Sequence, residues 1–278
     1  MKAYHTKKGI LIEQEDVFHV LEHEDWDTFI NDDDIIANTQ SKLNEGNRIK
    51  NADAILVKQV KAPVQSQEIW ASGVTYYNSK LGREEESKES GGSSFYARVY
   101  EADRPELFFK ATAHRTVGNG GIVRIRKDST WNVPEPELTL VITSTGKVIG
   151  YTIGNDMSSR SIEGENPLYL PQAKTYDGCA ALGPCVLLRN DPLPTETKIT
   201  LTITRKGDVV FNKDIGLDQI KRKLEDIVGY LYRECTFPYG SLLMTGTGII
   251  PPTEFTLAIG DEVTISIDGI GSLVNTVG

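Results

Sequence analysis

The segment Trp131-Asn132-Val133-Pro134-Glu135-Pro136-Glu137-Leu138-Thr139-Leu140-Val141-Ile142 has the composition of a β-strand. Successive side chains of a strand point to opposite faces of a sheet. Leu138, Leu140 and Ile142 are therefore predicted to face one way. Glu135 and Glu137 face the other way, so two carboxylates share one face of the strand.

A hairpin brings a third carboxylate to the same place. Residues 144–147 read as a turn, and a second strand-like run follows and ends at Asp156. If the hairpin is centred in the middle of this turn, Asp156 lies opposite Glu135 and Gly154 lies opposite Glu137. The sequence therefore predicts that the three carboxylates converge.

Three carboxylates in one place repel one another. Directly opposed residues of a hairpin have Cβ atoms about 5 Å apart, and like charges at this separation cost on the order of several kcal/mol in a partly buried site. A divalent cation removes this cost, and oxygen ligands alone favour Mg²⁺, with Mn²⁺ and Ca²⁺ as alternatives, over zinc. The alternative interpretation is an exposed strand edge with scattered acids. A slip of one residue in the hairpin would move Asp156 to the wrong face.

The overall charge disfavours several classes of partner. The chain has 278 residues, of which 39 are acidic and 30 basic, for a formal net charge of −9. An acidic chain without a basic stripe repels nucleic-acid phosphates and anionic lipid surfaces. No run approaches the roughly 18 consecutive apolar residues of a membrane helix, and residues 1–14 have no apolar signal core. We therefore expect a globular, cytoplasmic protein with no nucleic-acid partner and no membrane partner.

The three cysteines are Cys179, Cys185 and Cys235. Their odd number and scattered spacing disfavour a disulfide framework or a zinc site. A catalytic thiol would need a histidine partner, and the chain has only four histidines. We expect buried, unreactive thiols.

Composition changes near Pro63, which divides the chain into a small polar N-terminal domain, 1–63, and a larger domain, 64–278. The elements predicted in the N-terminal domain are strand-like segments at 3–13 and 16–20, a short helix at 38–45 and a connector at 55–63. The larger domain reads as apolar strands separated by Gly and Pro turns.

Two segments of the larger domain differ from the strand-rich background. Residues 76–94 are the most polar stretch and read as a solvated helix and loop or as a mobile lid, with the solvated loop favoured. Apolar residues recur at helical spacing over 217–231, which predicts one helix. Alternating segments at 198–204, 209–212 and 261–268 predict strands.

Four motifs occur in a characteristic order. They are Glu135-x-Glu137, Asp156-Met157-Ser158-Ser159-Arg160, Lys174-Thr175-Tyr176-Asp177-Gly178-Cys179 with Gly183-Pro184, and Thr245-Gly246-Thr247-Gly248. In this order they resemble the fumarylacetoacetate hydrolase superfamily, from about Trp70 to the C-terminus. The resemblance implies an α+β, mostly β fold, namely a mixed β-sheet roll behind a small N-terminal α/β domain, assembled as a homodimer or homotetramer.

Residues 70–76, 104–112 and 165–172 resemble one branch of this superfamily, whose members dehydrate 2-keto-3-deoxy sugar acids in pentose catabolism. By that resemblance the chain is a hydro-lyase that converts 2-keto-3-deoxy-D-arabinonate to 2,5-dioxopentanoate through a metal-stabilised enolate. The metal is Mg²⁺ or a similar ion, held by Glu135, Glu137 and Asp156.

The resemblance also implies roles for residues outside the carboxylates. Lys174 matches the active-site lysine of the superfamily, a base or enolate stabiliser, and Thr247 matches its substrate-binding threonine. Arg115 is predicted to bind the substrate carboxylate in a bidentate manner, and Ser72 is predicted to bind the keto acid. Ion pairing and local capping are the alternative roles of Arg115 and Ser72.

Hydrolases of the superfamily commonly activate water with a histidine and a glutamate in a lid, but no histidine lies between His23 and His114. The polar stretch at 76–94 offers three glutamates at 84–86 instead. This favours a dehydratase in which a lid glutamate, taken as Glu84, protonates the leaving hydroxyl. The alternatives are an acylpyruvate hydrolase or oxaloacetate decarboxylase on the same fold, and a metal-stabilised binding protein without activity.

Overall fold

The computed structural model describes residues 1–86 and 93–278, with the side chains of residues 80, 83–86 and 93–95 outside this description. The strands are β1 (Lys2–Thr6), β2 (Gly9–Gln14), β3 (Val17–Glu22), β4 (Arg48–Ile49), β5 (Glu68–Gly73), β6 (Glu106–Ala111), β7 (Thr116–Val117), β8 (Ile122–Val123), β9 (Asn132–Val133), β10 (Pro136–Ile142), β11 (Val148–Asp156), β12 (Ser158–Ser159), β13 (Ala180–Leu188), β14 (Lys198–Arg205), β15 (Asp208–Gly216), β16 (Ser241–Met244), β17 (Glu262–Ile267) and β18 (Gly271–Val277).

The helices are short. The α-helices are α1 (Trp26–Ile30), α2 (Ile35–Lys42), α3 (Asp53–Lys58), α4 (Tyr77–Glu86), α5 (Ser93–Glu101), α6 (Arg160–Glu165), α7 (Leu170–Lys174) and α8 (Leu224–Leu231). The 3₁₀ helices are η1 (Glu45–Asn47), η2 (Ala113–Arg115), η3 (Pro167–Tyr169) and η4 (Leu217–Gln219).

A large mixed sheet forms the centre of the described structure. Its strand order is β4-β3-β2-β1-β13-β11-β10-β16-β5-β6, and β7 adds to β13. The pairs β16–β5 and β13–β7 are parallel, and the others are antiparallel. A second sheet has the order β15-β14-β17-β18-β8, and β9 pairs with β12 separately.

The two faces of β10 bury different cores, as the alternation in the sequence predicted. Leu138, Leu140 and Ile142 belong to the core that also contains the inward side chains of β14 and β17. Val141 belongs to a second core, which includes Trp26 of α1. The second sheet therefore packs on one face of the large sheet, while N-terminal helices cover part of the other face.

The N-terminal strands do not form a sheet of their own. β1 pairs with β13 of the larger domain, with Ala3 opposite Val186, so the small domain continues the large sheet. The boundary near Pro63 stays a prediction. Strands β1, β2 and β3 confirm the predicted strand segments, with a turn at residues 7–8 that divides the first of them. The predicted helix begins and ends three residues earlier than expected, at Ile35–Lys42, and the predicted connector is wrong in part because α3 forms over residues 53–58.

The single helix predicted over 217–231 is wrong in its first half. Only the segment from Leu224 is α-helical, and residues 217–219 form η4. The Lys221 amide donates to the Thr75 carbonyl at 3.0 Å, and Ile220 forms a bridge with Tyr76. Pairing with a distant segment therefore replaces the hydrogen bonds of a helix at this point.

Three other predictions can be compared with the structure. Strands β14, β15 and β17 confirm the alternating segments. Cys179 and Cys185 are buried, and burial raises the pKa of Cys185 to about 12, but Cys235 is exposed, so its predicted burial is wrong. Among the described residues, none of the helices combines the length and apolarity needed to cross a membrane.

Candidate active site

The hairpin of β10 and β11 has the predicted register. Glu137 lies opposite Gly154, and Glu135 and Asp156 exchange both main-chain hydrogen bonds at 3.2 and 3.0 Å. A bulge at Val141/Ile142 shifts the pairing near the turn only. The end of the hairpin that carries the carboxylates is therefore in register.

The convergence of the three carboxylates is confirmed. Glu135, Glu137 and Asp156 each offer an oxygen atom within 4.8 Å of the others, and all three residues are at most 4% exposed. An exposed strand edge with scattered acids is thereby excluded. Because the cluster consists of carboxylates alone, its donor set fits a hard divalent cation such as Mg²⁺.

Lys174 lies at the centre of this cluster. It is the last residue of α7 and is fully buried. Its Nζ donates to Glu135 Oε2 at 2.8 Å, to Asp156 Oδ2 at 2.9 Å and to Ser158 Oγ at 2.6 Å. The Phe108 ring centroid lies 5.6 Å from the same nitrogen. The ammonium group therefore compensates two of the three carboxylates directly.

Glu137 has a different environment. Its Oε2 accepts a hydrogen bond from the Gly246 amide at 2.5 Å, and Gly246 has φ of +91°, a conformation that favours glycine. Burial, together with the negative charges of Asp156 and Glu135, raises the pKa of Glu137 well above its ordinary value. Without a cation in the cluster, Glu137 therefore has a greater tendency to hold a proton than an ordinary glutamate.

Asp156 shows the opposite shift. Burial acts to raise its pKa, but the ammonium groups of Lys110 and Lys174 outweigh burial and hold the pKa of Asp156 below its ordinary value. Lys110 Nζ lies 2.6 Å from Asp156 Oδ1. The carboxylate of Asp156 thus stays ionised between two lysines.

Two basic residues of the site had no role in the sequence predictions. Lys110, in β6, is fully buried. Arg160, at the start of α6, is 2% exposed and donates through Nη2 to Glu135 Oε1 at 2.9 Å. Both stand within motifs that carry the family resemblance. A lysine inside the apolar strand segment 106–111 is itself a signal, because a buried ammonium requires anionic partners.

Most of the predicted site residues line one small cavity. Ser72 and Thr247 contribute to its wall beside the carboxylates and Lys174. Ser72 Oγ donates to the Glu106 carbonyl at 3.0 Å, and the Ile249 amide donates to Thr247 Oγ1 at 3.2 Å. Both hydroxyl groups are therefore positioned by hydrogen bonds within the wall.

Arg115 and Glu84 differ from this group. Arg115 belongs to η2, lies 3.7 Å from Asp177 Oδ1 and is not part of the cavity wall among the described residues. Arg160 is in that wall, so the guanidinium beside the carboxylates comes from another motif. Glu84 lies in α4, and its side chain is outside the described part of the chain.

The helix α4 closes one side of the cavity. Ser79 on this helix and Ile250 after β16 are both in the cavity wall. Ser79 Oγ donates to the Tyr76 carbonyl at 2.7 Å. The segment favoured as a solvated loop therefore begins as a helix, and its first turn faces the site.

Comparison with known proteins identifies the family of this chain. Residues 75–278 match the family model described as fumarylacetoacetate (FAA) hydrolase C-terminal. The chain is 48% identical over 226 residues to a probable 2-keto-3-deoxyxylonate dehydratase of Haloferax volcanii, with 81% of this chain and 77% of the relative covered. It is 43% identical over 225 residues to 2-dehydro-3-deoxy-D-arabinonate dehydratase of Saccharolobus solfataricus, with 79% and 74% covered.

Solved structures extend the likeness to the whole chain. A hexagonal crystal form of 2-keto-3-deoxyarabinonate dehydratase superimposes with a TM-score of 0.86 at 36% identity, covering 100% of this chain and 98% of the other. A 2-keto-3-deoxy-D-arabinonate dehydratase complexed with magnesium and 2,5-dioxopentanoate gives a TM-score of 0.83 at 35% identity, covering 99% and 97%. With its mixed sheets and its buried carboxylates, the chain belongs to the fumarylacetoacetate hydrolase family.

Proposed function

We propose that this protein is a Mg²⁺-dependent hydro-lyase that dehydrates a 2-keto-3-deoxy sugar acid, with 2-keto-3-deoxy-D-arabinonate as substrate and 2,5-dioxopentanoate as product. The observation that carries the proposal is the buried cluster of Glu135, Glu137 and Asp156 with the Lys174 ammonium at its centre. The names of the two curated relatives and of the magnesium complex support the reaction class.

In this proposal Glu135, Glu137 and Asp156 hold the metal. Mg²⁺, when bound, supplies the positive charge that makes the C3–H bond of a 2-keto acid acidic. The carboxylates are held in place before any ligand arrives, by the hairpin register and by the hydrogen bonds of the cluster. Such preorganisation lowers the cost of assembling the site during the reaction.

Lys174 is the proposed base. Its Nζ contacts carboxylate oxygens that are proposed to hold the metal, and it lines the cavity. In its neutral amine form, Lys174 would take a proton from C3 of a 2-keto acid held there. The C4 hydroxyl then leaves with a proton as water, and a double bond forms between C3 and C4. Transfer of a proton from C5 to C3 gives the enol of the aldehyde, which tautomerises to 2,5-dioxopentanoate.

The remaining predicted residues complete the proposal. Glu84 donates the proton to the leaving hydroxyl, and Ser72 and Thr247 orient the substrate through their hydroxyl groups. Arg160, which lines the cavity, is better placed than Arg115 to face the substrate carboxylate. The homo-oligomeric state and the cytoplasmic location belong to this proposal on the basis of the sequence alone.

The test is a direct assay. Purified protein with Mg²⁺ is incubated with 2-keto-3-deoxy-D-arabinonate, and the formation of 2,5-dioxopentanoate is measured by detecting its aldehyde group. We expect turnover, and we expect Lys174→Met to lower kcat/KM by about 10²–10⁴-fold because the proton acceptor is lost. Lys198→Met is the matched control, since that lysine pairs with Asp214 on the surface.

Two results would refute the proposal. Turnover of an acylpyruvate or of oxaloacetate without turnover of the sugar acid would assign the protein to the hydrolase or decarboxylase alternative. Turnover at the wild-type rate in Lys174→Met would show that Lys174 is not the base.

A further inference from the structure

Lys110 lies in an environment that is unusual for a lysine. It is the fifth residue of β6, and its side chain is 0% exposed. Transfer of an ammonium group out of water is costly unless all three of its N–H bonds find acceptors and an anion lies nearby. The contacts of Lys110 should therefore indicate the role of its ammonium group.

The Lys110 ammonium has three oxygen neighbours, which is the number that its N–H bonds can serve. It donates to the Met157 carbonyl at 3.0 Å and, by a short hydrogen bond, to the Lys174 carbonyl. Its ion-pair partner is Asp156 Oδ1 at 2.6 Å. Each of these contacts is to a residue of the proposed active site or to a direct neighbour of one.

These contacts fix two functional groups at once. Lys110 Nζ contacts Oδ1 of Asp156, while Lys174 Nζ contacts Oδ2 of the same carboxylate at 2.9 Å. The plane of the carboxylate is thereby set, with Oδ2 turned toward the cluster. The bond to the Lys174 carbonyl also anchors the end of α7, the point from which the Lys174 side chain extends.

Lys110 does not take part in the cavity wall among the described residues. The Tyr176 ring packs near the Lys110 ammonium, with its centroid 5.9 Å from Nζ. The guanidinium carbon of Arg126 lies 5.7 Å from the same centroid. A group in this position cannot touch a ligand in the cavity directly. Any effect that it has on metal or substrate passes through Asp156 and Lys174.

We propose that Lys110 is a positioning residue for the reaction: it orients the Asp156 carboxylate toward the metal and fixes the main chain of Lys174. This inference rests on the proposed function for its catalytic consequence but not for its effect on metal binding. Residues that orient metal ligands typically contribute 10–100-fold to metal affinity or activity.

Two explanations of a buried lysine predict opposite changes in metal affinity. If Lys110 acted on Asp156 only through its charge, its removal would make the cluster more negative and tighten Mg²⁺ binding. If Lys110 positions the carboxylate, its removal lets Asp156 rotate, and Mg²⁺ binding weakens. The sign of the change therefore separates positioning from simple charge compensation.

The experiment compares Lys110→Met with wild type and with the surface control Lys198→Met. Isothermal titration with MgCl₂ measures Kd, steady-state assays with 2-keto-3-deoxy-D-arabinonate give kcat and KM at saturating Mg²⁺, and circular dichroism verifies folding. We expect Lys110→Met to raise the Kd for Mg²⁺ by about 10–100-fold and to lower kcat at least tenfold with KM nearly unchanged. Lys198→Met should match wild type.

If Lys110→Met does not fold, Lys110→Gln takes its place, because its amide can still donate to main-chain carbonyls while the charge is lost. An unchanged or tighter Kd for Mg²⁺ in the folded variant would overturn the positioning role. If wild type binds Mg²⁺ but turns over no sugar acid, the proposed function fails while a weakened Kd in the variant still supports positioning.

Discussion

The carboxylate of Asp156 is held differently from that of Glu137. Each oxygen of Asp156 contacts a separate ammonium group, whereas Glu137 meets the main-chain amide of Gly246. Both residues are buried to the same extent, yet their pKa values shift in opposite directions. The difference is explained by the partners, because a lysine compensates a buried charge more fully than one amide dipole does.

Replacement of Glu137 should affect the stability of the protein and its affinity for Mg²⁺ differently. Glu137→Gln replaces a carboxyl group whose charged form is disfavoured in the buried cluster, so we expect the free energy of unfolding of the metal-free protein to be unchanged or higher by on the order of 1 kcal/mol. The loss of a ligand oxygen should raise the Kd for Mg²⁺ at least tenfold. Urea unfolding in EDTA and titration with MgCl₂ measure the two effects.

Glu262→Gln serves as the control for this change, because Glu262 is exposed at the start of β17. It should alter neither quantity. Wild-type Mg²⁺ affinity in Glu137→Gln would show that Glu137 is not a ligand.

At the scale of elements, the β10–β11 hairpin determines whether the site forms. The residue opposite Glu137 is Gly154, and a Cβ atom there would overlap Thr139 Oγ1 and lie 3.1 Å from Met244 Cε. Both neighbours are fully buried. The absence of a side chain at position 154 thus allows β10, β11 and β16 to pack closely beneath the carboxylates.

Gly154→Ala should therefore destabilise the protein by about 1–3 kcal/mol through overpacking and weaken Mg²⁺ binding. The matched control is Gly229→Ala in α8, where a Cβ would meet no atom within 4 Å. There alanine should stabilise the protein by about 0.5–1 kcal/mol. Urea unfolding curves of both variants test the opposite signs, and a stable Gly154→Ala variant would contradict the packing argument.

In the second sheet, Arg205 and Asp261 form a pair that should respond to pH. Arg205 donates to both carboxylate oxygens of Asp261 at 2.8 Å, and the Ala258 amide donates as well. Burial acts to raise the pKa of Asp261, but these partners outweigh it and hold the pKa below its ordinary value. The folded state therefore favours the charged form more than the unfolded chain does.

The resulting stabilisation is present above the unfolded pKa of about 3.9 and is lost as pH falls through the lower folded pKa. Asp261→Asn should destabilise the protein by about 1 kcal/mol at pH 7, a value reduced for the partial exposure of Arg205. The difference from wild type should shrink as the pH is lowered toward and below 4. Asp128→Asn, in an exposed pair with Arg126, should show little change at any pH.

The elements that local sequence could predict are those whose partners are near in the chain. The hairpin register followed from the turn at 144–147, because the two strands adjoin it. The break in the helix after Gln219 could not be predicted, since it depends on Thr75 and Tyr76, more than a hundred residues away. The same reason explains Lys110: its motif was visible, but its acceptors are Asp156 at the end of β11, the adjacent Met157 and Lys174 of α7, which only the fold brings to it.

Over the whole molecule, the distribution of charge matters more than its sum. The net charge is −9, which opposes an anionic substrate at long range. Within the site, the three carboxylates are matched by Lys110, Lys174 and Arg160. A divalent cation added to this balanced cluster leaves an excess of positive charge at the point where an anionic 2-keto acid would bind.

Removal of metal should lower the stability of the whole protein. A ligand that binds only the folded state stabilises it by about 2.7 kcal/mol when its concentration is 100 times Kd. We expect Mg²⁺ at this excess to raise Tm by several degrees relative to EDTA, and Glu137→Gln to show a smaller rise. Differential scanning calorimetry measures both, and an equal Tm with and without Mg²⁺ would contradict metal binding in the folded state.

The pairing of β1 with β13 has a consequence for how the chain can be divided. β13 is a strand of apolar, buried residues, and its edge at Val186 and Leu187 is covered by residues 2 and 3. A fragment that began at residue 64 would leave this edge open, and an open apolar edge is a template for pairing between molecules. The N-terminal strands therefore protect residues 64–278 against aggregation, and we expect the two parts to be expressed well only as one chain.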